Sequence, residues 1–337
     1  MSTANPVPET WELSGDDAVE ALHEAKFGRL LVDCVKRFRS ADGFSHARSL
    51  AFAVLLASVP GVIATIGLAT VLGDGSFRTA VADALHGISP GPAGDILTTA
   101  INQGATTAAA NGIVPLLFGL IAMTISGITA FGQIERGANR IYGVEQDRPF
   151  LAKYARAARL FVTSGTLIAA AFVIFGLGRN VMRSANLPGP DGLWEVARGA
   201  AGIVISVVSF ALLFRLAPRR HQPNLSWLIV GSSIAALLWL IATAALAALW
   251  HLGATFGKTY GQLAGLMGFA LWSYLIAIGL FIGIAFAAQL EAFRAGRSSP
   301  QDSTRADAAP AAEPARDQSS PAVSPGAELP GALLSPR

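Results

Sequence analysis

The sequence predicts an all-α, polytopic membrane protein, a six-transmembrane-helix bundle with an N-terminal amphipathic interfacial helix and a disordered C-terminal tail. Hydrophobic residues make up 52% of the 337 residues and the mean hydropathy is +0.49. Charged residues make up 14%, whereas soluble domains carry about 25%. The apolar residues are gathered in blocks of about 20, the length that crosses a hydrocarbon core of about 30 Å. These observations together identify an integral membrane protein.

The N-terminal region is predicted to have two parts. Residues 1–15 are polar and contain two prolines, so we expect them to be disordered, and no cleaved signal peptide is predicted. Residues 16–46 are predicted to form a cytoplasmic amphipathic helix, which lies on anionic headgroups or docks on the bundle. Its apolar positions recur at helical spacing, at Val19, Leu22, Leu30, Cys34 and Phe38.

Six apolar blocks predict the spans of a transmembrane domain over residues 47–293. They cover about 48–72, 113–134, 157–178, 199–217, 226–250 and 262–290. Residues 73–112 are predicted to form an extracytoplasmic helical loop that is either interfacial or re-entrant. Residues 294–337, rich in Ala, Pro and Ser, are predicted to be a disordered tail because they cannot bury enough apolar surface.

Two of these spans contain residues that affect helix shape and packing. Pro60 and Gly61 predict a kink in the first span, because proline cannot donate the helical hydrogen bond. That kink is either a gating hinge or a bend that shapes packing. The sixth span contains glycines at a spacing that allows close helix packing within one bundle or between copies of a homo-oligomer. They are Gly261, Gly265, Gly268, Gly279 and Gly283.

The positive charges predict the orientation of the spans. With the loops assigned alternately, seventeen Lys and Arg residues fall on one side and five on the other, leaving three in the distal tail. The positive-inside rule then places both termini in the cytoplasm. The expected partners are anionic lipid headgroups, and the basic charge does not require nucleic acid.

Polar residues near the ends of the second and sixth spans are the candidate functional site. Glu135, Asn139 and Tyr142 share one helical face, and Glu291 lies at a similar depth. Ionisable groups near a membrane interior usually face a partner or a water-filled path. We expect a cluster that either gates a substrate path or fixes the helix ends together, with cations supplied by Arg48 and Arg140.

The sixth span also carries two aromatic residues away from its ends. Trp272 and Tyr274 are expected to fill the bundle core or line a cavity rather than face lipid. No catalytic, cofactor or metal residues are predicted. The chain has one cysteine, its five histidines are scattered, and it lacks hydrolase and phosphate-loop motifs.

Four segments carry a family resemblance across about residues 25–295. They are HARSLAFAVLLASVPG, ERGANRIYGVEQDRPF, FRLAPRR and TYGQLAGLMGFALWSYLIAIGLFIGIAFAAQLEA. In this order and spacing they resemble the YihY/BrkB (YhjD-like) family of bacterial inner-membrane proteins. The resemblance implies six helices and a role in envelope integrity.

The resemblance leaves the molecular activity open. Members of the family have carried a ribonuclease label, yet no histidine lies near the loop carboxylates Glu135, Glu145 and Asp147. Two functions therefore remain in view: export or transport of a lipid or envelope precursor, and a non-transporting scaffold for envelope machinery. A membrane-bound hydrolase is a more distant alternative.

Overall fold

The computed structural model describes residues 4–72, 99, 113–145, 148–171, 174, 191–252 and 262–300. Every regular element within these ranges is helical, so the predicted all-α class is confirmed for them. The helices are α1 Gly15–Glu24, α2 Phe27–Ser40, α3 Gly43–Leu72, α4 Val114–Ile141, α5 Phe150–Leu160, α6 Asp191–Leu216, α7 Leu225–Leu252 and α8 Gln262–Arg294.

Five of the described helices are long and apolar enough to cross a membrane. The qualifying stretches are Gly43–Ala64, Leu116–Ile141, Val196–Leu216, Leu225–Leu249 and Leu263–Arg294. They correspond to the first, second, fourth, fifth and sixth predicted spans.

The remaining predicted span, at 157–178, is described in part. There α5 is followed by a π-helical turn at Phe161–Gly165, and residues 166–171 are again helical. The rest of this span lies almost wholly outside the described residues. The tail from residue 301 onward also lies outside the described residues. Of the predicted loop at 73–112, only residue 99 is described.

Helix α8 is the central helix of the bundle. Within its most apolar stretch 61% of the residues are buried, against 28–33% in the other four spans. It packs against α2, α3 and α7. The outer spans instead expose large apolar side chains such as Phe52, Phe118 and Val204. Exposed apolar surface on this scale is expected of helices that face lipid.

Glycines set the closest helix contacts. A Cβ added at Gly283 would lie 2.7 Å from both the Ala235 Cβ and the Gly231 carbonyl oxygen, so α7 and α8 approach almost backbone to backbone. At the other end of the bundle, a Cβ at Gly119 on α4 would lie 2.4 Å from the Ala64 backbone nitrogen on α3. These contacts explain how closely α3 packs on α4 and α7 packs on α8.

The other predicted packing and hinge positions are also located by the structure. Gly265, Gly268 and Gly279 are buried, and Gly261 lies outside the described residues. Helix α3 runs without interruption through Pro60, and a Cβ added at Gly61 would meet nothing within 4 Å. The gating hinge stays a prediction.

The N-terminal region differs from its prediction. Residues 16–46 do not form one helix, because Ala25 adopts an extended conformation and separates α1 from α2. The break lets α1 contact α7 and α8 while α2 packs along α8. Residues 4–14, within the segment predicted to be disordered, follow a defined course across the helix ends. Their backbone hydrogen bonds, such as Val7 N to Tyr142 O at 3.1 Å, account for this course.

Candidate functional site: a buried polar cluster at one end of the bundle

One end of the bundle, called the charged end below, collects most of the buried ionisable groups. It consists of the C-terminal turns of α2, α4 and α8, residues 142–145 and 148–149, and the segment 217–224 between α6 and α7. The N-terminal residues 4–10 lie across it. Three buried polar sets are built here, around Glu135, Glu291 and Arg37.

Glu135 forms the first of these sets. It is 1% exposed, and its carboxylate accepts a hydrogen bond from the Arg148 guanidinium at 2.5 Å. The same guanidinium donates to the carbonyl oxygens of Ala217 at 3.2 Å and Pro218 at 3.1 Å. Arg148 thus connects the end of α4 to the segment that follows α6.

Glu291 forms the second set. Its Oε1 accepts hydrogen bonds from Arg220 Nη2 and from the Thr10 hydroxyl, both at 2.5 Å. The Arg220 side chain is 3% exposed and lies over the ring of Tyr142, with 4.7 Å between the guanidinium carbon and the ring centroid. Burial raises the pKa of the Tyr142 hydroxyl, which therefore stays neutral at physiological pH.

Arg37 forms the third set and has no exposed surface. It donates to the Gln289 side-chain oxygen at 2.8 Å, the Asn5 carbonyl at 2.8 Å and the Ile141 carbonyl at 3.2 Å. Burial lowers the pKa of Arg37 to about 10, which leaves the guanidinium charged at neutral pH. This cation joins α2 to the ends of α4 and α8.

Asn139 completes the connection between the two ion pairs. Its side-chain oxygen accepts a hydrogen bond from the Arg219 backbone N–H at 2.7 Å. The segment 217–220 therefore contacts the Glu135 set through Arg148, the Glu291 set through Arg220, and α4 directly through Asn139. We treat the whole as one buried polar cluster.

The structure brings together four of the six residues predicted to form this cluster. Glu135, Asn139, Tyr142 and Glu291 are each at most 1% exposed and lie in the contacts described above. Arg48 does not join them, because it is exposed and makes no ion pair within the described ranges. Arg140 is half-buried, but the cations that contact the two carboxylates are Arg148 and Arg220.

Sequence reasoning missed the three arginines of the cluster and assigned them to membrane orientation. A signal for Arg37 was available, since it lies seven residues after Leu30 and three after Cys34, on the apolar face of α2. Arg148 and Arg220 each neighbour a proline-containing connection, RPF and APRR. Nothing in the sequence specifies which carboxylate each of them contacts.

The two aromatic residues of α8 lie apart from the cluster. Trp272 is 5% exposed, stacks on Phe269 and donates its indole N–H to the Thr243 hydroxyl at 3.2 Å. It belongs to a small separate apolar cluster with Leu246. Tyr274 is half-buried against the main core. Within the described part of the chain, no group of three or more His, Cys, Asp or Glu side chains could hold a metal ion.

These features define the class of protein: it is a polytopic α-helical membrane protein whose helix ends meet in a buried ionic cluster. The family follows from comparison, because the family model described as Virulence factor BrkB matches residues 34–308. That match covers most of the chain, and the protein belongs to this family. No solved structure matches the chain significantly.

Curated relatives agree with this membership. A UPF0761 membrane protein of Stenotrophomonas maltophilia is 25% identical over 304 residues, covering 85% of this chain and 66% of the relative. One from Azoarcus is 28% identical, covering 81% and 65%. The chain thus spans just under two thirds of these relatives. A Bacillus subtilis protein named as ribonuclease-like, YfkH, is 25% identical, covering 75% and 92%.

Proposed function

We propose that this chain is a multi-pass protein of the bacterial inner membrane that supports envelope integrity by moving a lipid or other amphiphilic envelope precursor across the bilayer. In this proposal the buried polar cluster is the cytoplasmic closure of the path. The single observation that carries it is the pair of buried ion pairs, Glu135–Arg148 and Glu291–Arg220, which join the ends of α4, α6 and α8.

A closure built from buried ion pairs suits a two-state element. A desolvated pair is strong while it is intact, but its desolvation cost offsets much of its attraction, so hydration on opening lowers the penalty of separation. Helix ends held in this way exchange between a joined and a separated arrangement more readily than a filled apolar core. Ionisable groups within a membrane are rare and often mark transport paths.

Six crossings are part of the proposal, and the direction of the described helices supports them. Helices α4 and α6 both end at the charged end, where Glu135 and Arg220 meet the same cluster. This shared direction supports a return of the intervening chain to the opposite end. Helix α5 begins at the charged end, at Phe150, and is the first part of that return.

The cytoplasmic placement of both termini is supported by charge. With the loops assigned alternately, seventeen of the 25 Lys and Arg residues fall on the side to which the charged end belongs, as the positive-inside rule expects of a cytoplasmic face. Residues 4–10 and 297–300 both lie there, for example through Asn5 N and Pro300 O at 3.2 Å. Exposed basic residues such as Arg136 support the proposed contact with anionic headgroups.

The test is reconstitution into liposomes with a fluorescent-lipid translocation assay across several headgroups. The expected result is a protein-dependent rate that changes in Arg148→Gln, while Arg136→Gln, an exposed neighbour of the cluster, behaves as the unsubstituted chain. Equal translocation rates with and without protein for every headgroup would contradict the transport proposal.

A non-transporting scaffold is the second candidate, and the close packing of α7 on α8 favours it. The contact of Gly231 with Gly283 leaves no room between these helices for a substrate. A scaffold would leave lipid translocation at the protein-free rate while envelope defects of a deletion strain were still complemented. Either role is non-enzymatic, and we propose no catalytic step.

A further inference from the structure

The first observation is a buried cation without a buried anion beside it. Arg37 is fully buried, and its three hydrogen bonds go to neutral acceptors on Gln289, Asn5 and Ile141. No described carboxylate lies within 4 Å of it, and its Nη2 has no hydrogen-bond partner. A desolvated charge of this kind is costly unless an anion neutralises it.

The second observation is that further unused donors lie in the same place. Arg220 Nη1 is buried and makes no hydrogen bond in the described structure, and the buried Tyr142 hydroxyl and Gln222 amide have only each other as partners there. Arg220 lies on the Tyr142 ring, and Gln222 lies beside the Tyr142 hydroxyl. Arg220 is paired with Glu291, whereas Arg37 contacts neutral acceptors only, so these three buried groups together carry an excess of one positive charge.

The third observation concerns what covers these donors. Backbone carbonyls of the N-terminal segment accept from both guanidiniums, Asn5 O from Arg37 at 2.8 Å and Pro8 O from Arg220 at 2.7 Å. The Thr10 hydroxyl donates to Glu291. Carbonyl oxygens carry partial negative charge, so residues 4–10 supply weak substitutes for anion oxygens. We call residues 4–10 the lid.

We propose that Arg37, Tyr142, Arg220 and Gln222 form a binding site for a phosphate-type anion, which the lid occupies when the site is empty. Two guanidiniums with free N–H groups suit phosphate oxygens, since charge-assisted hydrogen bonds are about twice as strong as neutral ones. The donor chemistry is the same for the phosphate of a lipid headgroup and for a free phosphate ion.

This site deepens the proposed function and rests on it for its role. If the chain moves an amphiphile, the substrate class is one with a phosphate group, and the lid must leave before the headgroup enters. Glu291 then loses its contact with the Thr10 hydroxyl. Arg220 gives up the Pro8 carbonyl and donates to a phosphate oxygen instead.

The test uses the full chain purified in a non-ionic detergent and titrated by calorimetry. The probes are inorganic phosphate and a short-chain, water-soluble phosphatidylglycerol, with chloride at matched ionic strength as the reference. A doubly substituted lid, Glu9→Ala with Thr10→Ala, removes the lid contacts to His221 and Glu291. The expected result is phosphate-dependent binding that becomes tighter in this lid variant.

Removal of one cation gives the matched comparison. Arg37→Gln is expected to weaken phosphate binding by about tenfold or more, because a charge-assisted hydrogen bond is lost. Arg219→Gln is the control, since this side chain is exposed on the same segment as Arg220, and it is expected to leave binding unchanged. An equal loss in both variants would contradict the site.

The unsubstituted chain and the lid variant keep the proposal testable even if Arg37→Gln does not fold. Absence of phosphate-dependent heat with either probe in both of these proteins would overturn it, and the unused donors would then bind water. Binding of free phosphate identifies an ion site, and binding of the lipid probe alone identifies a headgroup site; both support the proposal. Phosphate binding without lipid translocation would reject the transport function and leave the site standing.

Discussion

Two carboxylates at the charged end differ from ordinary boundary charges because each is buried with its own arginine. Glu135 and Glu291 are at most 1% exposed, and Arg148 and Arg220 reach them at 2.5 Å. A buried pair of this kind adds little net stability compared with an apolar pair of equal volume. Removing one partner is strongly destabilising, because the other charge is then left desolvated.

The pair at Glu135 gives a direct prediction. Arg148→Gln is expected to destabilise the protein by about 3–5 kcal/mol, since the buried carboxylate loses its counter-ion. The measurement is the unfolding temperature in detergent, followed by size exclusion. Arg136→Gln is the control, as the adjacent Arg136 side chain is exposed, and it should change the midpoint little.

The double variant Glu135→Gln with Arg148→Gln checks the cause. It should recover part of the lost stability, because no unpaired charge remains. If Arg148→Gln were no worse than the control, or if the double variant were no more stable than Arg148→Gln alone, the paired-charge account would be wrong.

The burial of Cys34 predicts that the protein loses stability at alkaline pH. Burial raises the pKa of its thiol from 9.0 to about 12, so above pH 9 the unfolded chain ionises while the folded thiol stays neutral. Stability is therefore full below pH 9 and falls as the pH rises from about 9 to about 12. At pH 10 the loss is about 1.4 kcal/mol, one pKa unit of differential ionisation.

The check is a comparison of unfolding temperatures at pH 8 and pH 10 in Cys34→Ala and in the unsubstituted chain. The alanine variant should show a smaller drop between the two pH values, because the titrating thiol is absent. An identical drop in both proteins would assign the alkaline effect to other groups.

At the scale of the elements, α8 orders the bundle because its small residues let neighbours approach. Buried alanines such as Ala277, Ala285 and Ala288 line it, and Gly283 lies directly against α7. The sixth predicted span was recognised as glycine-dense. Gly231 on α7, the glycine that Gly283 contacts, is not predicted by the sequence, because a single glycine carries no periodic signal.

Gly231→Ala tests this contact. The added Cβ would lie 2.7 Å from the Ala287 Cβ and from the Gly283 carbonyl oxygen, so the helices must separate. We expect a loss of about 1–3 kcal/mol from overpacking, seen as a lower unfolding temperature. Gly199→Ala on α6 is the matched control because its Cβ would meet nothing within 4 Å.

The control variant Gly199→Ala has its own expected effect on the free energy of unfolding. Alanine favours a helix over glycine by about 1 kcal/mol, so Gly199→Ala should be neutral or stabilising. If Gly231→Ala were equally harmless, the close approach of α7 and α8 would not contribute to stability in the membrane protein.

For the whole molecule, the direction of the described helices makes the sixth crossing testable. In a background lacking Cys34, Asn186→Cys and Gln103→Cys are expected to react with a membrane-impermeant maleimide in intact cells. Glu145→Cys, at the charged end, is expected to react only after the membrane is permeabilised. Both expectations follow from the positive-inside assignment of the loops.

Asn186→Cys is the decisive position of the three. It lies between α5 and α6, and six crossings place it on the extracytoplasmic side of the membrane. Labelling of this position only after permeabilisation would contradict the crossing between residues 148 and 191 and the topology with it. Labelling of Glu145→Cys in intact cells would reverse the orientation of the whole bundle.

The sequence by itself determined the all-α class, the membrane environment and five of the spans, because apolar blocks of bilayer length have few other uses. It also located Glu135 and Glu291, since a charge at the end of an apolar span is conspicuous. Tertiary structure decided which arginines meet them, replacing Arg48 and Arg140 with Arg148 and Arg220. It also decided the course of residues 4–14 and the burial of Arg37. The physical reason is that apolar periodicity is a local property, whereas the partner of a buried charge lies at a sequence distance that no local pattern encodes.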